Sequence, residues 1–158
     1  MQMALYQPDI PQNTGTLIRL SACLSVPLHV IEPCGFPFGP QSVKRAAMDY
    51  LDHVRLTTHL SWDHFISGRG AGQSPGPGRL VLLTTKTDHI YTDFTYQPDD
   101  ILLLGRESAG VPDDVHDYAD AAVTIPMRSG MRSLNVAMAA AMVLGEALRQ
   151  TEAFSSNA

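Results

Sequence analysis

Two strand–loop–helix segments in the last third of the chain restrict its fold more than any other feature. The first is an apolar run at residues 102–104 that breaks into a glycine-flanked acidic loop at residues 105–110. The second is Ile125-Pro126-Met127, followed by a polar loop and, after Asn135, an apolar helix. Strands that end in polar loops before helices build small-molecule sites at the carboxyl edge of an α/β sheet. This pattern therefore predicts an α/β protein with such a site.

The remainder of the chain follows the same alternation. The pattern predicts strands at residues 3–6, 28–31, 53–57, 80–83, 101–104 and 122–125. It predicts helices after Asn13, at 42–50, at 61–66 with Ser61 as cap, from Pro112 to residue 118, and at 134–149. Asn13 is the expected N-cap of the first helix, and Ser133 and Asn135 both suit the start of the last. Alternating elements without hairpin signals indicate a mostly parallel sheet flanked by helices.

Length and composition favour one domain that associates with another chain. The 158 residues are 44% hydrophobic, which suffices for a single core. We place that domain at residues 1–150 and predict a disordered tail at 151–158. Charged residues make up only 17% of the chain, so we expect some surface to be covered by a partner.

The last helix gives a separate reason to expect a homodimer. Residues 136–144 contain no polar side chain. A helix that is apolar on every face must be covered on every face, and the sheet can cover only one of them. A second subunit is the simplest cover for the other, and Met138 and Met142 would fill irregular gaps there.

Charge and cysteine content restrict location and partners. The chain has a net charge of −5, but Lys44 and Arg45 and, further on, Arg128 and Arg132 form small basic groups. These four side chains are candidate contacts for RNA phosphates. We expect no export signal and no membrane span, because the first residues lack a basic, apolar, small-residue pattern and no apolar run approaches about 20 residues. The two cysteines are therefore expected to be reduced thiols in a cytoplasmic protein. The scattered histidines show no metal-binding spacing, so no metal is expected.

Three segments resemble the motifs of a known enzyme family. Residues 13–20, residues 104–112 and residues 125–135 resemble the three motifs of SPOUT-type RNA ribose methyltransferases. Residues 31–36 and 44–50 agree as well, so the resemblance covers nearly the whole chain in order. Within that superfamily the chain is similar to the minimal tRNA wobble-position 2′-O-methyltransferases, which carry no appended RNA-binding domain.

The resemblance implies a fold, a cofactor and partners. It implies an α/β sheet with a C-terminal deep trefoil knot, S-adenosylmethionine bound within the knot, and a homodimer with its active site at the interface. The implied substrate is tRNA, methylated on the ribose 2′-hydroxyl of cytidine or uridine 34. By position in the motifs, the cofactor-binding residues are Leu83, Gly105, Glu107, Ile125, Met127 and Ser133.

The resemblance also implies residues that act on the substrate. The catalytic residues by position are Arg19, Asn13, Glu107, Ser133 and Asn135, and Arg19 joins Lys44, Arg45, Arg128 and Arg132 as an RNA contact. A guanidinium stays protonated under ordinary conditions, so literal base catalysis by Arg19 would need an extreme pKa shift. We prefer a role in which its charge orients the phosphate and the ribose hydroxyl.

Three other functions fit parts of the pattern. The same chemistry on a different RNA site is the first. The second is a knotted RNA-binding dimer that no longer carries out catalysis. Such a protein would have little reason to keep four residues of the cofactor loops and motifs: Arg19, Glu107, Ser133 and Asn135. A nucleotide-binding regulator is the third, and it is disfavoured because no Gly-x-Gly-x-x-Gly follows the first strand.

Overall fold

A six-stranded parallel sheet forms the centre of the molecule in this computed structural model, which describes residues 1–39, 50, 53–70, 76 and 78–154. The strands are β1 (Gln2–Tyr6), β2 (Leu28–Ile31), β3 (Leu56–His59), β4 (Leu80–Leu83), β5 (Ile101–Leu104) and β6 (Ala121–Val123). The helices in the described residues are α1 (Pro11–Cys23), α2 (Trp62–Gly70), α3 (Asp113–Tyr118) and α4 (Val136–Gln150). The predicted mostly parallel α/β sheet is thereby confirmed.

The strand order is β3-β2-β1-β5-β4-β6, and every neighbouring pair is parallel. The chain moves outward from β1 to β3 on one side and then builds β4, β5 and β6 on the other. Connections that leave β1 and β5 in opposite directions open a crevice at the carboxyl ends of these two strands. Leu5 of β1 pairs with Leu104 of β5 just before that crevice.

Both faces of the sheet are covered, which explains its continuous apolar strands. Alternate residues of β1 point to opposite faces, so Met3 and Leu5 join the larger core while Ala4 and Tyr6 join the smaller one. The larger core includes side chains of α1 and α4, and the smaller includes Phe65 of α2 and Val115 of α3. All four residues of β5 are buried.

Helix α4 buries one face and exposes the other, as its uniformly apolar sequence predicted. Ala140, Val143 and Leu144 are buried in the larger core. Met138 is 64% exposed and Met142 is 42% exposed. Thr151 and Ala153 still donate backbone hydrogen bonds to carbonyls of α4, whereas residues 155–158 lie outside the described part.

Several predicted boundaries were wrong by a few residues. The third strand is Leu56–His59, because its register is set by pairing with β2, where Leu28 faces Leu56. The last strand ends at Val123 and the last helix begins at Val136. Pro112 takes the N-cap position of α3 rather than its first turn. Ser61 caps α2 as predicted, since its hydroxyl accepts from the His64 N–H at 3.1 Å. The helix predicted at 42–50 lies mainly outside the described residues.

A buried histidine pair joins β2 to β3. His29 Nδ1 lies 3.0 Å from His59 Nε2, and His29 Nε2 lies 2.8 Å from Gln2 Oε1. The two side chains are almost fully buried. Burial, and next the neighbouring His59, lowers the pKa of His29 from 6.5 to about 4. Burial and His64 lower the pKa of His59 as well.

We expect this pair to make stability fall in mild acid. The folded pKa of His29 lies below its unfolded value, so the unfolded chain takes up the proton first. The stabilisation is complete above pH 6.5 and is lost towards about pH 4, by about 3 kcal/mol from the size of the shift. Urea unfolding across this range measures it. His29→Gln should flatten the pH dependence, whereas the exposed control His53→Gln should not; equal slopes in all three proteins would contradict the assignment.

Candidate active site

A cavity of about 450 Å³ opens at the carboxyl ends of β4, β5 and β6. Its wall comprises residues at the ends of these strands and in the loops after them, at 82–86, 104–107, 109–111, 124, 125 and 127, together with His116, Ser133-Leu134-Asn135 and the first turn of α4. Ile10 and Asn13 close it from the side of α1. The size suits a small-molecule ligand, and the mixture of leucine side chains with a few polar groups is typical of such sites.

Two glycines shape the loop after β5. Arg106 and Gly110 exchange backbone hydrogen bonds of 3.0 and 2.9 Å, which closes the loop on itself. Gly110 has a φ of +68°, a conformation that favours glycine. A Cβ at Gly105 would lie 2.7 Å from the carbonyl carbon of Gly110, so a side chain there would displace the backbone. The loop therefore keeps this shape only with glycine at position 105.

A continuous line of hydrogen bonds crosses one side of the cavity. The N–H groups of Ala137 and Met138 donate to Asn135 Oδ1 at the start of α4. Asn135 Nδ2 donates to Asn13 Oδ1 at 2.9 Å, and Asn13 Nδ2 donates to Glu107 Oε1 at 3.2 Å. This line, which we call the amide line, ties α4, α1 and the loop after β5 together. Every bond in it runs towards the Glu107 carboxyl.

Asp9 holds the other side of Glu107. The Asp9 N–H donates to Glu107 Oε2 at 3.0 Å, and the Glu107 N–H donates back to Asp9 Oδ1 at 3.1 Å. Burial, and next the hydrogen bond with Asp9, raises the pKa of Glu107 above its usual range. The pKa of Asp9 is lowered, mainly by the same side-chain hydrogen bond with Glu107.

Arg19 is exposed on α1, and its guanidinium lies 4.9 Å from the centre of the Tyr50 ring. It lies outside the cavity wall that the described residues form. A guanidinium packed face-on against an aromatic ring keeps its N–H edge available for other acceptors. Arg128 and Arg132 are exposed in the loop between β6 and α4. Lys44 and Arg45 lie outside the described residues.

The structure brings the predicted cofactor-binding residues together. All six line the cavity: Leu83, Gly105, Glu107, Ile125, Met127 and Ser133. Of the predicted catalytic residues, Asn13, Glu107, Ser133 and Asn135 lie on the same wall, and Arg19 does not. The geometry places these residues at one cavity, and their individual roles stay predictions.

One capping prediction was wrong, and of the two caps predicted for the last helix the structure confirms one. Helix α1 begins at Pro11, its N-cap is Ile10, and that residue makes no side-chain capping bond. Asn13 therefore lies inside the first turn, and its amide is used for the long-range amide line instead. The cap of α4 is Asn135 rather than Ser133, because Asn135 Oδ1 accepts the first free N–H groups of the helix.

Sequence reasoning missed several residues of this region. Thr84 and Lys86 line the cavity after β4, and Asp9 reaches Glu107 from the loop after β1. For Asp9 the available signal was its position after the first strand, at the same sheet edge as the two loops already singled out.

No cluster of histidine, cysteine or acidic side chains suited to a metal ion occurs in the described part of the chain. Within the same residues, no helix combines the length and apolar character needed to cross a membrane.

Known proteins resemble the chain along its length. The sequence model of the SpoU rRNA Methylase family matches residues 1–145. A tRNA (cytidine(34)-2′-O)-methyltransferase of Beijerinckia indica is 61% identical over 153 residues, covering 97% of this chain and 93% of that protein. The protein of the same name from Ancylobacter novellus is 52% identical, with coverage of 98% and 96%.

Solved structures agree with the sequence relatives. One, described as giving insights into the 2-OH methylation of C/U34 on tRNA, is 36% identical with a TM-score of 0.84 and covers 94% of each chain. The SpoU methyltransferase AviRb of Streptomyces viridochromogenes, in complex with the cofactor AdoMet, is 29% identical with a TM-score of 0.80; the match covers 95% of this chain and 60% of that one. The chain therefore belongs to the SpoU rRNA methylase family of SPOUT-type methyltransferases, alongside the tRNA (cytidine(34)-2′-O)-methyltransferases.

Proposed function

We propose that this protein transfers a methyl group from S-adenosylmethionine to the ribose 2′-hydroxyl of nucleotide 34 of tRNA, a cytidine or uridine. The observation that carries the proposal is the meeting of all three sequence motifs at one cavity, through Asn13, Glu107 and Asn135. Relatives that cover almost the whole chain carry the name of this activity. A cytoplasmic location follows from the substrate and belongs to the same proposal.

The residues present suit S-adenosylmethionine. The loop that the Arg106–Gly110 hydrogen bonds close presents glycine backbone to the cavity, and Leu83 and Ile125 supply apolar walls. Met127 and Ser133 complete the set that would hold the cofactor. When bound there, the cofactor supplies a methyl group already activated on a sulfonium. The protein is then left with positioning the ribose and promoting loss of the hydroxyl proton.

We assign contact with the RNA substrate to basic side chains outside the cavity wall and to the Glu107 carboxyl on it. In this proposal Arg19 holds a phosphate beside the reacting ribose, and its fixed positive charge lowers the pKa of the 2′-hydroxyl. Arg128 and Arg132 extend the positive surface, and Lys44 and Arg45 belong to the same proposed RNA contact. Glu107, held by Asn13 and Asp9, supplies an oriented carboxyl at the cavity edge.

The path of the chain supports the proposed C-terminal trefoil knot. β6 is an edge strand beside β4, yet α4 contacts α1 and β5. The segment after β6 must therefore return across the carboxyl ends of β4 and β5 before α4 begins. We propose that it passes through the loop between β4 and β5, and that residues 1–150 form one domain around this crossing.

The exposed face of α4 is the proposed homodimer surface. Met138 and Met142 are exposed on a helix whose start carries Asn135, so a partner on this face would lie beside the site. A carboxylate buried in such an apolar contact would be strongly unfavourable. Met142→Glu should therefore give a monomer by light scattering. The control Leu60→Glu changes a residue that is 78% exposed at the far edge of the sheet and should leave a dimer. A dimeric Met142→Glu protein would exclude this face.

Methyl transfer to RNA tests the function itself. Purified protein incubated with methyl-labelled S-adenosylmethionine and a tRNA transcript should move label into the RNA. The labelled position should resist alkaline cleavage, because a methylated 2′-oxygen cannot attack the adjacent phosphate. Label in an alkali-sensitive position would indicate base methylation. Tight binding of cofactor and tRNA without transfer would indicate an RNA-binding protein without turnover.

A further inference from the structure

We propose that Asp9 is a positioning residue for methyl transfer, which acts by holding the Glu107 carboxyl in line with Asn13. The inference rests on the proposed function. Asp9 lies in the loop after β1, outside the three motifs, and it is hydrogen-bonded to Glu107, which lines the cavity, and to the neighbouring Ser108. Its contacts span the crevice between β1 and β5, where the strand order reverses.

The contacts of Asp9 are directed at one segment. Its two carboxylate oxygens accept from the N–H of Glu107 at 3.1 Å and from the N–H of Ser108 at 3.3 Å. The Ser108 hydroxyl donates to the same oxygen as the Ser108 N–H. In return, the Asp9 N–H donates to Glu107 Oε2. A single carboxylate therefore fixes both the backbone and the side chain of the acidic loop residue.

These hydrogen bonds between Asp9 and the segment Glu107-Ser108, which we call the clamp, determine which carboxyl oxygen of Glu107 accepts from the amide line. With Oε2 held by Asp9, Oε1 is the oxygen that accepts from Asn13. Asn135 Oδ1 accepts from α4 and Asn13 Oδ1 accepts from Asn135, so the amide nitrogen of Asn13 is directed at Glu107, which accepts at the end of the line. Loss of the clamp would free Glu107 to rotate and would remove the acceptor that fixes Asn13.

Asp9 is itself supported from behind by Gly35. The Gly35 N–H donates to the Pro8 carbonyl at 2.9 Å. A Cβ at position 35 would lie 2.6 Å from the Cβ of Asp9 and 2.9 Å from its Cα, so any side chain there must push Asp9 aside. Gly39, in the same loop region, has no atom of the described part of the chain within 4 Å of its Cβ position. The two glycines therefore form a matched pair for testing the position of Asp9.

Electrostatics around Glu107 agree with this role. Its raised pKa reflects burial and then the hydrogen bond with Asp9, while the backbone N–H groups of Asp9 and Glu107 and the side chain of Asn13 act in the opposite direction. Lys86, Arg106 and His116 are the other titratable side chains on the same described wall. If Glu107 works as a carboxylate, removal of the Asp9 charge should let it ionise at lower pH.

The decisive variant is Asp9→Asn. An asparagine has one acceptor oxygen where Asp9 has two, so it satisfies the N–H of Glu107 or of Ser108, but not both. We expect kcat for tRNA methylation to fall roughly tenfold or more, since small displacements of positioning groups have effects of this order. KM for S-adenosylmethionine should stay within about threefold, because Asp9 does not line the cavity. The acid limb of the pH–rate profile should move to lower pH.

Two results would overturn the proposal: an unchanged kcat, or a lower kcat with an unshifted acid limb, which would indicate a purely structural role. Should Asp9→Asn not fold, Gly35→Ala replaces it, because Gly35 is exposed in a loop. Gly35→Ala should lower kcat while Gly39→Ala keeps it, and equal rates in both would equally overturn the proposal. An inactive wild-type protein would instead refute the proposed function.

Discussion

Replacing Arg19 with alanine is expected to lower kcat for tRNA methylation by roughly 10²–10³-fold, the range seen when one preorganised stabilising group is removed. Arg19 is exposed on α1 and lies outside the cavity wall, so affinity for S-adenosylmethionine should remain near that of the wild type. Packing against Tyr50 at 4.9 Å keeps the guanidinium oriented, which makes it suitable for a fixed phosphate contact.

The control and the conservative variant separate the possible roles of Arg19. Arg55→Ala removes an exposed arginine that donates to the Ser25 carbonyl, near the amino ends of β2 and β3, and should leave kcat within about twofold. Arg19→Lys keeps the charge but loses the planar N–H edge, and should recover part of the rate. An Arg19→Ala enzyme with wild-type turnover would remove this residue from the mechanism.

Gly105→Ala is expected to lower kcat/KM for S-adenosylmethionine by roughly 10²-fold, the effect of a misplacement of about 1 Å. The added Cβ would lie 2.7 Å from the Gly110 carbonyl carbon and 2.8 Å from its Cα. These are backbone atoms held by the reciprocal bonds between Arg106 and Gly110, so relief requires the loop itself to move. That loop lines the cavity, and its displacement should weaken cofactor binding.

Calorimetric titration with S-adenosylmethionine, without RNA, measures the weakening of cofactor binding directly. The matched control is Gly39→Ala, where the new methyl group meets no atom of the described residues within 4 Å. It should bind the cofactor like the wild type. Equal affinity in Gly105→Ala and Gly39→Ala, with both proteins folded, would show that the loop after β5 does not hold the cofactor.

The parallel sheet was predictable because its strands can be recognised from the local sequence alone. Residues 80–83 and 101–104 are continuous apolar runs bounded by polar or glycine-containing segments, which is the signature of strands buried on both faces. Polar loops after two such runs placed the site at the carboxyl edge. The apolar circumference of the last helix likewise predicted the exposed methionines, Met138 and Met142.

The details that were missed depend on contacts distant in sequence. Asn13 looked like a helix cap, but its partners are Glu107 and Asn135, 94 and 122 positions away. The ends of β3 follow its register against β2, which its own residues do not encode. Asp9 gave no local pattern, because its role arises only where the loops after β1 and β5 meet. The knot and the cofactor came from family resemblance rather than from composition or periodicity.

Removal of a single oxygen atom from the substrate, the 2′-hydroxyl of nucleotide 34, tests the central claim most directly. Label transfer from S-adenosylmethionine is measured to three synthetic tRNAs: all-ribose, 2′-deoxy at nucleotide 34, and 2′-deoxy at nucleotide 35. The account predicts transfer to the first and third and none to the second. Undiminished methylation of the tRNA that lacks the 2′-hydroxyl of nucleotide 34 would contradict it.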